Sequence, residues 1–412
     1  MMELSDFVRL LKYQNPHSEV WWDASPTVYA GFRKLLLSRY SQCTSYIEQL
    51  LPQLWRDTPG GVSGATTNPK LVARALLEHA HMNQHWVQAL DPDLPAARRA
   101  RQLYDRLIVE GARLLYPLWA SSDRRVGWLS AQVDTTQLHS TELMVARGLE
   151  LARLAPNVMV KVPGSQHGYS AIEQLVAHGC SVNNTLCFSV SQCAAAVAAI
   201  ARGRLLAREN QVDTRSAEYV VSFMIGRFGD EPQFDQQARR CGITLTQADK
   251  RWAELAVYQA LQALLQRWQT PVRLLLCSLR VDTDEHDQAF SWHLERTGAD
   301  TTVYTMTPDI IEFLVQRQAS GKPVVPASGR WRIPEQVMSK LLCIPYFTDA
   351  YFENTLDAAA FEQQPAFITA RNEACTAHGQ LQAFVEGFAR QELNATPMSG
   401  SLLKACLTGA RP

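Results

Sequence analysis

The sequence predicts an α/β fold, as a doubly wound sheet or a closed (β/α)8 TIM barrel, from three observations. Eight short strand-like segments recur at 20–24, 61–67, 127–134, 158–162, 180–187, 219–225, 272–279 and 301–306. Helical periodicity fills the intervals at 71–90, 99–118, 141–154, 168–178, 191–202, 247–266 and 308–317. Strands alternating with helices are the signature of a parallel sheet covered by helices. Third, no G-x-G-x-x-G follows the first run, which weakens a dinucleotide-binding reading.

The elements follow from local chemistry. The stretch 71–118 is too long for one crossover helix, and Asp91-Pro92 and Leu94-Pro95 break it into two. After about 320, the Gly/Pro-rich SGKPVVPASG gives way to helical pattern at 334–340 and 356–390. With no further strand set, this tail (321–412) is expected to form a C-terminal helical extension. It would lie over a barrel core of about 20–320, within a single domain of 1–412.

Composition excludes several classes. The 412 residues are 46% hydrophobic and 19% charged, with net charge zero and no basic stripe, so no nucleic-acid partner is expected. The apolar runs are short for a membrane span, and the acidic N-terminus lacks a signal-peptide pattern. Nine cysteines without C-x-x-C fit reduced thiols, and a cytoplasmic location is expected. His81 and His85 stand at helical spacing, but Met82 replaces the adjacent glutamate of a metalloprotease motif, so no metal is expected.

Lys161 stands out. It lies mid-run in VMVKVPG, sharing a strand face with Met159 while Val158, Val160 and Val162 take the other. Only 8 of the 40 basic residues are lysines, and this one alone falls inside a strand run. A buried ammonium costs several kcal/mol, on the order of a lost ion pair, unless it is paired or deprotonated. A buried, deprotonated lysine is the nucleophile that forms Schiff bases with carbonyls. The competing reading is a core lysine whose head escapes to solvent or pairs structurally.

In a barrel, the chemistry sits at the C-terminal strand ends. Those ends carry Asp23; Thr66, Thr67 and Asn68; Ser130, Gln132 and Asp134; Lys161; Asn183 and Thr185; Ser222 and then Arg227; Ser278 and Arg280. So many polar side chains converging where apolar packing is usual favour a site. Among other candidates, Lys70 reads as an exposed helix-start residue. Cys187 and Cys277 read as small core residues. Of Trp21 and Trp22, one ring is expected in the core and one against a helix.

At this point the chain resembles the transaldolases, Schiff-base aldolases on a (β/α)8 barrel, over about 21–314. The shared pieces are WWDAS (21–25), SGATTNPKLV (63–72), SAQVD (130–134), VMVKVPGS (158–165), SVNNTLCFSVSQ (181–192), SFMIGRFGD (222–230), LLCSLR (275–280) and TMTPDIIEFL (305–314), in the family's order. The resemblance implies that Lys161 forms an imine with a ketose, and that Asp23 moves the proton of the C4 hydroxyl. It implies that Thr67, Asn68, Asn183, Thr185 and Ser222 hold the three-carbon unit, while Arg227 and Arg280, with Ser278 beside them, grip a phosphate. Sugar phosphates are the implied partners, no cofactor is needed, and a homodimer is left open.

Two positions depart from the pattern. Gln132 stands where transaldolases carry a water-handling glutamate; fructose-6-phosphate aldolases share the glutamine but add a tyrosine from strand six. Met224 occupies that place here, where transaldolases commonly have phenylalanine. Gln can place a water but cannot exchange a proton with it. Tyr169 or His167 taking over, slow turnover, or a specialised pathway with a different donor or acceptor all remain open. An aldolase or C–C lyase that releases the three-carbon unit is thus the alternative to transfer. A non-catalytic sugar-phosphate binder is a third reading.

Overall fold

A computed structural model describes residues 6–53, 60–78, 86–329 and 331–394. Eight parallel strands close into a barrel: β1 (Glu19–Asp23), β2 (Val62–Thr66), β3 (Leu129–Gln132), β4 (Val158–Pro163), β5 (Val182–Cys187), β6 (Tyr219–Phe223), β7 (Val272–Leu276) and β8 (Thr302–Met306). Neighbours in sequence are neighbours in space, and β8 pairs with β1 to complete the circle. The doubly wound alternative is thereby excluded. A two-stranded ribbon, Asp282–Thr283 with Ala289–Phe290, interrupts the crossover from β7 to β8.

The strand pleat sorts the interior into layers. Trp21, Met159, Val220, Leu275 and Val303, from five strands around the circle, pack together in one buried cluster inside the barrel. Trp21 fits because residue 64 is glycine: a Cβ there would sit 2.7 Å from the indole. Two residues earlier on their strands lie Glu19, Glu218 and Arg273. Arg273 pairs with both acids, and Glu19 also accepts from Trp21 Nε1 and Ser63 Oγ. This ion-paired plug closes the N-terminal end of the barrel. Two residues later lie Asp23, Lys161, Ser222, Cys277 and Thr305, at the C-terminal end. The other tryptophan, Trp22, points outward and packs edge-on against Tyr29, with ring centroids 5.5 Å apart.

Helices cover the barrel. The predicted break near Pro92 and Pro95 is present: one helix spans Pro69–Glu78, residues 86–88 are again helical, and the helix after the break runs from Ala96 to Ser121. His81 and His85 lie outside the described residues. Helix Val190–Glu209 is long and apolar enough, by length and composition, to cross a membrane, although polar residues interrupt its apolar run. Here Cys193, Ala196, Val197 and Ile200 are buried in the core.

The extension is helical, as expected, but its elements differ in detail. Glu335–Leu341 and Pro345–Tyr351 are short helices, and Pro365–Asn394 is the long one. The helix predicted from 356 starts only at Pro365, because Pro365 sets the first-turn φ and Gln364 before it is extended. The long helix packs against Pro69–Glu78, Ala96–Ser121 and the C-terminal region of β5. It therefore borders the end of the barrel where the polar residues gather.

Candidate active site

Lys161 is 7% exposed, one pleat above Met159 on the interior face of β4. Among the described residues its ammonium makes no hydrogen bond and no ion pair. Its register partners are Gln132 on β3 and Asn183 on β5. A long, uncommitted amine is thus held between two amides, in a wall rigid enough to fix its direction.

Asp23 ends β1 on the same face. Thr66 Oγ1 donates to its Oδ1 at 2.6 Å and lies 2.6 Å from Thr305 Oγ1. Burial raises the Asp23 carboxyl above the ordinary carboxylate value, while Lys161, the Thr66 bond and Arg227 pull it back down. That opposition describes an acid/base group within the field of the lysine. Thr66 rather than Thr67 holds the inward position. The backbone N–H of Thr67 bonds Ser130 O, and its hydroxyl is buried without a partner. Asn68 accepts from Leu71 N at 3.0 Å and so caps the following helix with its carbonyl oxygen.

Asn183 is fixed from both sides. Its Nδ2 donates to Ser130 Oγ at 2.9 Å, and its Oδ1 accepts from Ser222 Oγ at 2.7 Å. The bonds span β3 to β6 and pre-set the amide beside Lys161. Thr185 is the register partner of Pro163, one pleat further up on β5. The strand then bulges, with Leu186 at φ 53°.

The strand-seven residues sit differently from the sequence reading. β7 ends at Leu276, and Ser278 adopts a left-handed φ of 59°. Alternation from Leu275 makes Cys277 the inward residue, so Ser278 and Arg280 do not share its face. Cys277 was read as simple core; it lies in the fields of Lys161, Asp23 and Arg227, and burial pushes its thiol up to about 11 despite Lys161. It stays a neutral thiol in the site wall. Arg280 folds back on its own loop: Nε donates to Asp230 at 2.6 Å, and Nη1 to the carbonyls of Ser278 and Leu279. Its backbone N–H bonds His293 Nδ1, so His293 Nε2 carries the proton that Glu254 accepts at 2.7 Å.

Met224 caps the short helix Ile225–Gly229 and packs against the interior cluster, so it borders the site. Gly226 lets that helix approach: a Cβ would meet Ser278 O at 2.2 Å. Arg227 follows and donates from Nη2 to Glu373 at 2.7 Å, a partner on the long C-terminal helix. Neither proposed replacement for the missing glutamate faces Lys161. Tyr169 belongs to the core between barrel and helices, edge-on to Phe361, and His167 lies beside Thr141 at the start of the preceding helix. Asp134 caps a turn at Thr136 N and stands 3.4 Å from His378.

Sequence reasoning missed Thr305 and Glu373; Lys70 is the exposed helix-start residue it was read as, but its partner was not foreseen. Period-two alternation from Val303 would have found Thr305. Lys70 Nζ lies 3.0 Å from Glu373 Oε2, a contact between residues far apart in sequence that no local pattern announces.

Comparison with known proteins gives the family. The family described as Transaldolase/Fructose-6-phosphate aldolase matches residues 51–363. The chain is 27% identical to transaldolase 2 of Streptomyces avermitilis over 264 residues, 61% of this chain and 70% of that protein. It is 29% identical to a transaldolase of Mycobacterium bovis over 231 residues, 55% and 57% of the two chains. It is 32% identical to one from Thiobacillus denitrificans over 169 residues, 40% and 47%. The last two matches span about half the length of those relatives.

Proposed function

The chain belongs to the transaldolase/fructose-6-phosphate aldolase family and is an enzyme of the transaldolase type; from that premise we propose that it transfers a dihydroxyacetone unit from a ketose phosphate to an aldose phosphate through an imine on Lys161. The observation that carries this reading is the placement of Lys161, uncommitted and buried, one pleat above an apolar plug and in the field of Asp23.

Lys161 attacks the ketose carbonyl as the free amine, and loss of water from the carbinolamine gives the protonated imine. The imine draws in the electron pair of the C3–C4 bond while Asp23 accepts the C4 hydroxyl proton. The aldose product leaves, and the enamine keeps three carbons on the enzyme. A second aldehyde then adds, Asp23 returns the proton, and water frees the new ketose. Asn183, Ser222 and Thr185 hold the hydroxyls of the unit, with Asn68 and Thr67 at the end of β2. Arg227 addresses the phosphate, with Arg280 behind it on the β7 loop, because guanidinium geometry matches phosphate oxygens and stays charged. The lysine imine is itself the electron sink. Sugar phosphates are the partners, and a cytoplasmic location fits such substrates.

Gln132 favours a second reading, in which the enamine is protonated and released. A neutral amide beside Lys161 positions water without relaying its proton. Borohydride trapping with fructose 6-phosphate, read by intact and peptide mass spectrometry, tests the shared first half. A three-carbon adduct on Lys161 is expected. Added erythrose 4-phosphate should discharge it to a new ketose if the enzyme transfers. Dihydroxyacetone formed at an unchanged rate without acceptor would favour release. An absence of any adduct with ketose phosphates would overturn both.

A further inference from the structure

Lys70 and Arg227 come from opposite sides of the barrel mouth, just after β2 and β6, yet they converge on one oxygen. Glu373 Oε2 lies 2.7 Å from Arg227 Nη2 and 3.0 Å from Lys70 Nζ. We propose that Lys70 and Arg227 form the phosphate-binding pair of this enzyme, and that Glu373 on the C-terminal helix occupies the pair until a substrate phosphate displaces it. The inference rests on the phosphorylated substrate proposed above and deepens it.

The charge balance supports a dianion. Two cations face one carboxylate, which leaves one positive charge uncompensated; a phosphate monoester dianion neutralises both. Arg280 is a poorer holder, because Asp230 and two carbonyls already occupy its donors. Glu373 stands where a phosphate oxygen would stand, with donors already at charge-assisted distance. The Arg227 bond, with burial opposing, holds its carboxyl down to about 2, so protonation does not open the pair at ordinary pH. A competing anion must. The C-terminal helix therefore acts as a specificity element: unphosphorylated sugars have nothing with which to displace Glu373.

The test is calorimetric binding of inorganic phosphate to the full chain and to Lys70→Ser, Lys70→Arg and Glu373→Gln variants, each checked for folding by thermal melting. Lys70→Ser should weaken phosphate about tenfold or more, the worth of one charge-assisted hydrogen bond, and Lys70→Arg should recover most of it. Glu373→Gln should tighten phosphate by a comparable factor. Binding should also strengthen from about pH 5.5 to 8.5, as inorganic phosphate gains its second charge around neutral pH and the dianion matches the two cations. Unchanged phosphate affinity in Lys70→Ser, or unchanged or weaker affinity in Glu373→Gln, would overturn the proposal. Borohydride trapping with unphosphorylated dihydroxyacetone at saturating concentration reads Lys161 separately. Trapping with an insensitive phosphate site defeats this inference alone; the expected phosphate pattern without trapping defeats the imine reading alone.

Discussion

Gln132 and Lys161 are register partners on β3 and β4, side by side on the inner face of the barrel. Adjacent strands lie roughly 4.8 Å apart, so in the proposed imine mechanism a single water would bridge the amide and the carbon bound to Lys161. In that mechanism the amide would orient the water and leave proton transfer to solvent or to Asp23. Replacing Gln132 with Glu should speed carbinolamine dehydration by about tenfold or more, toward the 10²–10⁴-fold range of general acid–base catalysis. Single-turnover trapping of the imine measures the step. An unchanged rate would mean that another group already relays the proton.

If Asp23 is the base of the proposed mechanism, it sets the acid limb of the pH profile. Its carboxyl is raised by burial, so the base is lost to protonation at higher pH than an ordinary aspartate would allow. The stability sign is the reverse of the usual carboxylate. With the folded-state value above the unfolded one, the favourable contribution is present below the unfolded pKa and is lost as pH rises through the folded pKa. Asp23→Asn should therefore raise the melting temperature at pH 7 while lowering kcat by about 10²–10⁴-fold. A variant that melts lower than the parent at pH 7 would refute the burial argument.

The Thr66 hydroxyl stabilises the ionised form of Asp23 through its 2.6 Å bond. Thr66→Val keeps the shape and removes the donor. The acid limb of kcat/KM should move to higher pH, and the lost bond should cost about 1 kcal/mol of stability. Valine at Thr67, whose hydroxyl has no partner, should leave the acid limb where it is.

How much of this was legible in the sequence depended on the range of the cause. All eight strands follow from apolar runs and turn residues, both local signals, and Lys161 was identifiable because one charge interrupts such a run. Ser278 and Arg280 went astray because alternation counted from Leu275 turns Cys277 inward, and the left-handed φ at Ser278 follows only after the strand has ended. Thr66 and Thr67 are adjacent and chemically alike, so only the strand register separates them. Glu373 lies outside every strand and pairs across the mouth of the barrel, where only the assembled fold brings the charges together.

Gly226 tests whether loop position governs the phosphate end of the site. A Cβ there would fall 2.2 Å from Ser278 O and 2.9 Å from the Arg280 side chain, too close for either to stay in place. Gly226→Ala should push the Arg227 helix away from the β7 loop. The expected result is a KM for phosphorylated ketose raised about tenfold or more, a displacement effect, with Lys161 still trappable by unphosphorylated dihydroxyacetone. Unchanged KM would mean that the loop yields without moving either arginine.

The plug at the other end of the barrel makes the opposite prediction. Glu19 is 3% exposed and pairs with Arg273, while accepting from Trp21 and Ser63. Glu19→Ala removes one member of a buried pair and leaves Arg273 with Glu218 alone. Breaking a buried pair from one side costs roughly 3–5 kcal/mol, because the remaining charge stays desolvated. Denaturant unfolding should show a loss of that size. The apolar layer of Trp21, Met159, Val220, Leu275 and Val303 lies between this plug and Lys161. The folded fraction should therefore trap substrate at the parental rate, and a large fall in trapping per folded molecule would show that the plug also positions the lysine.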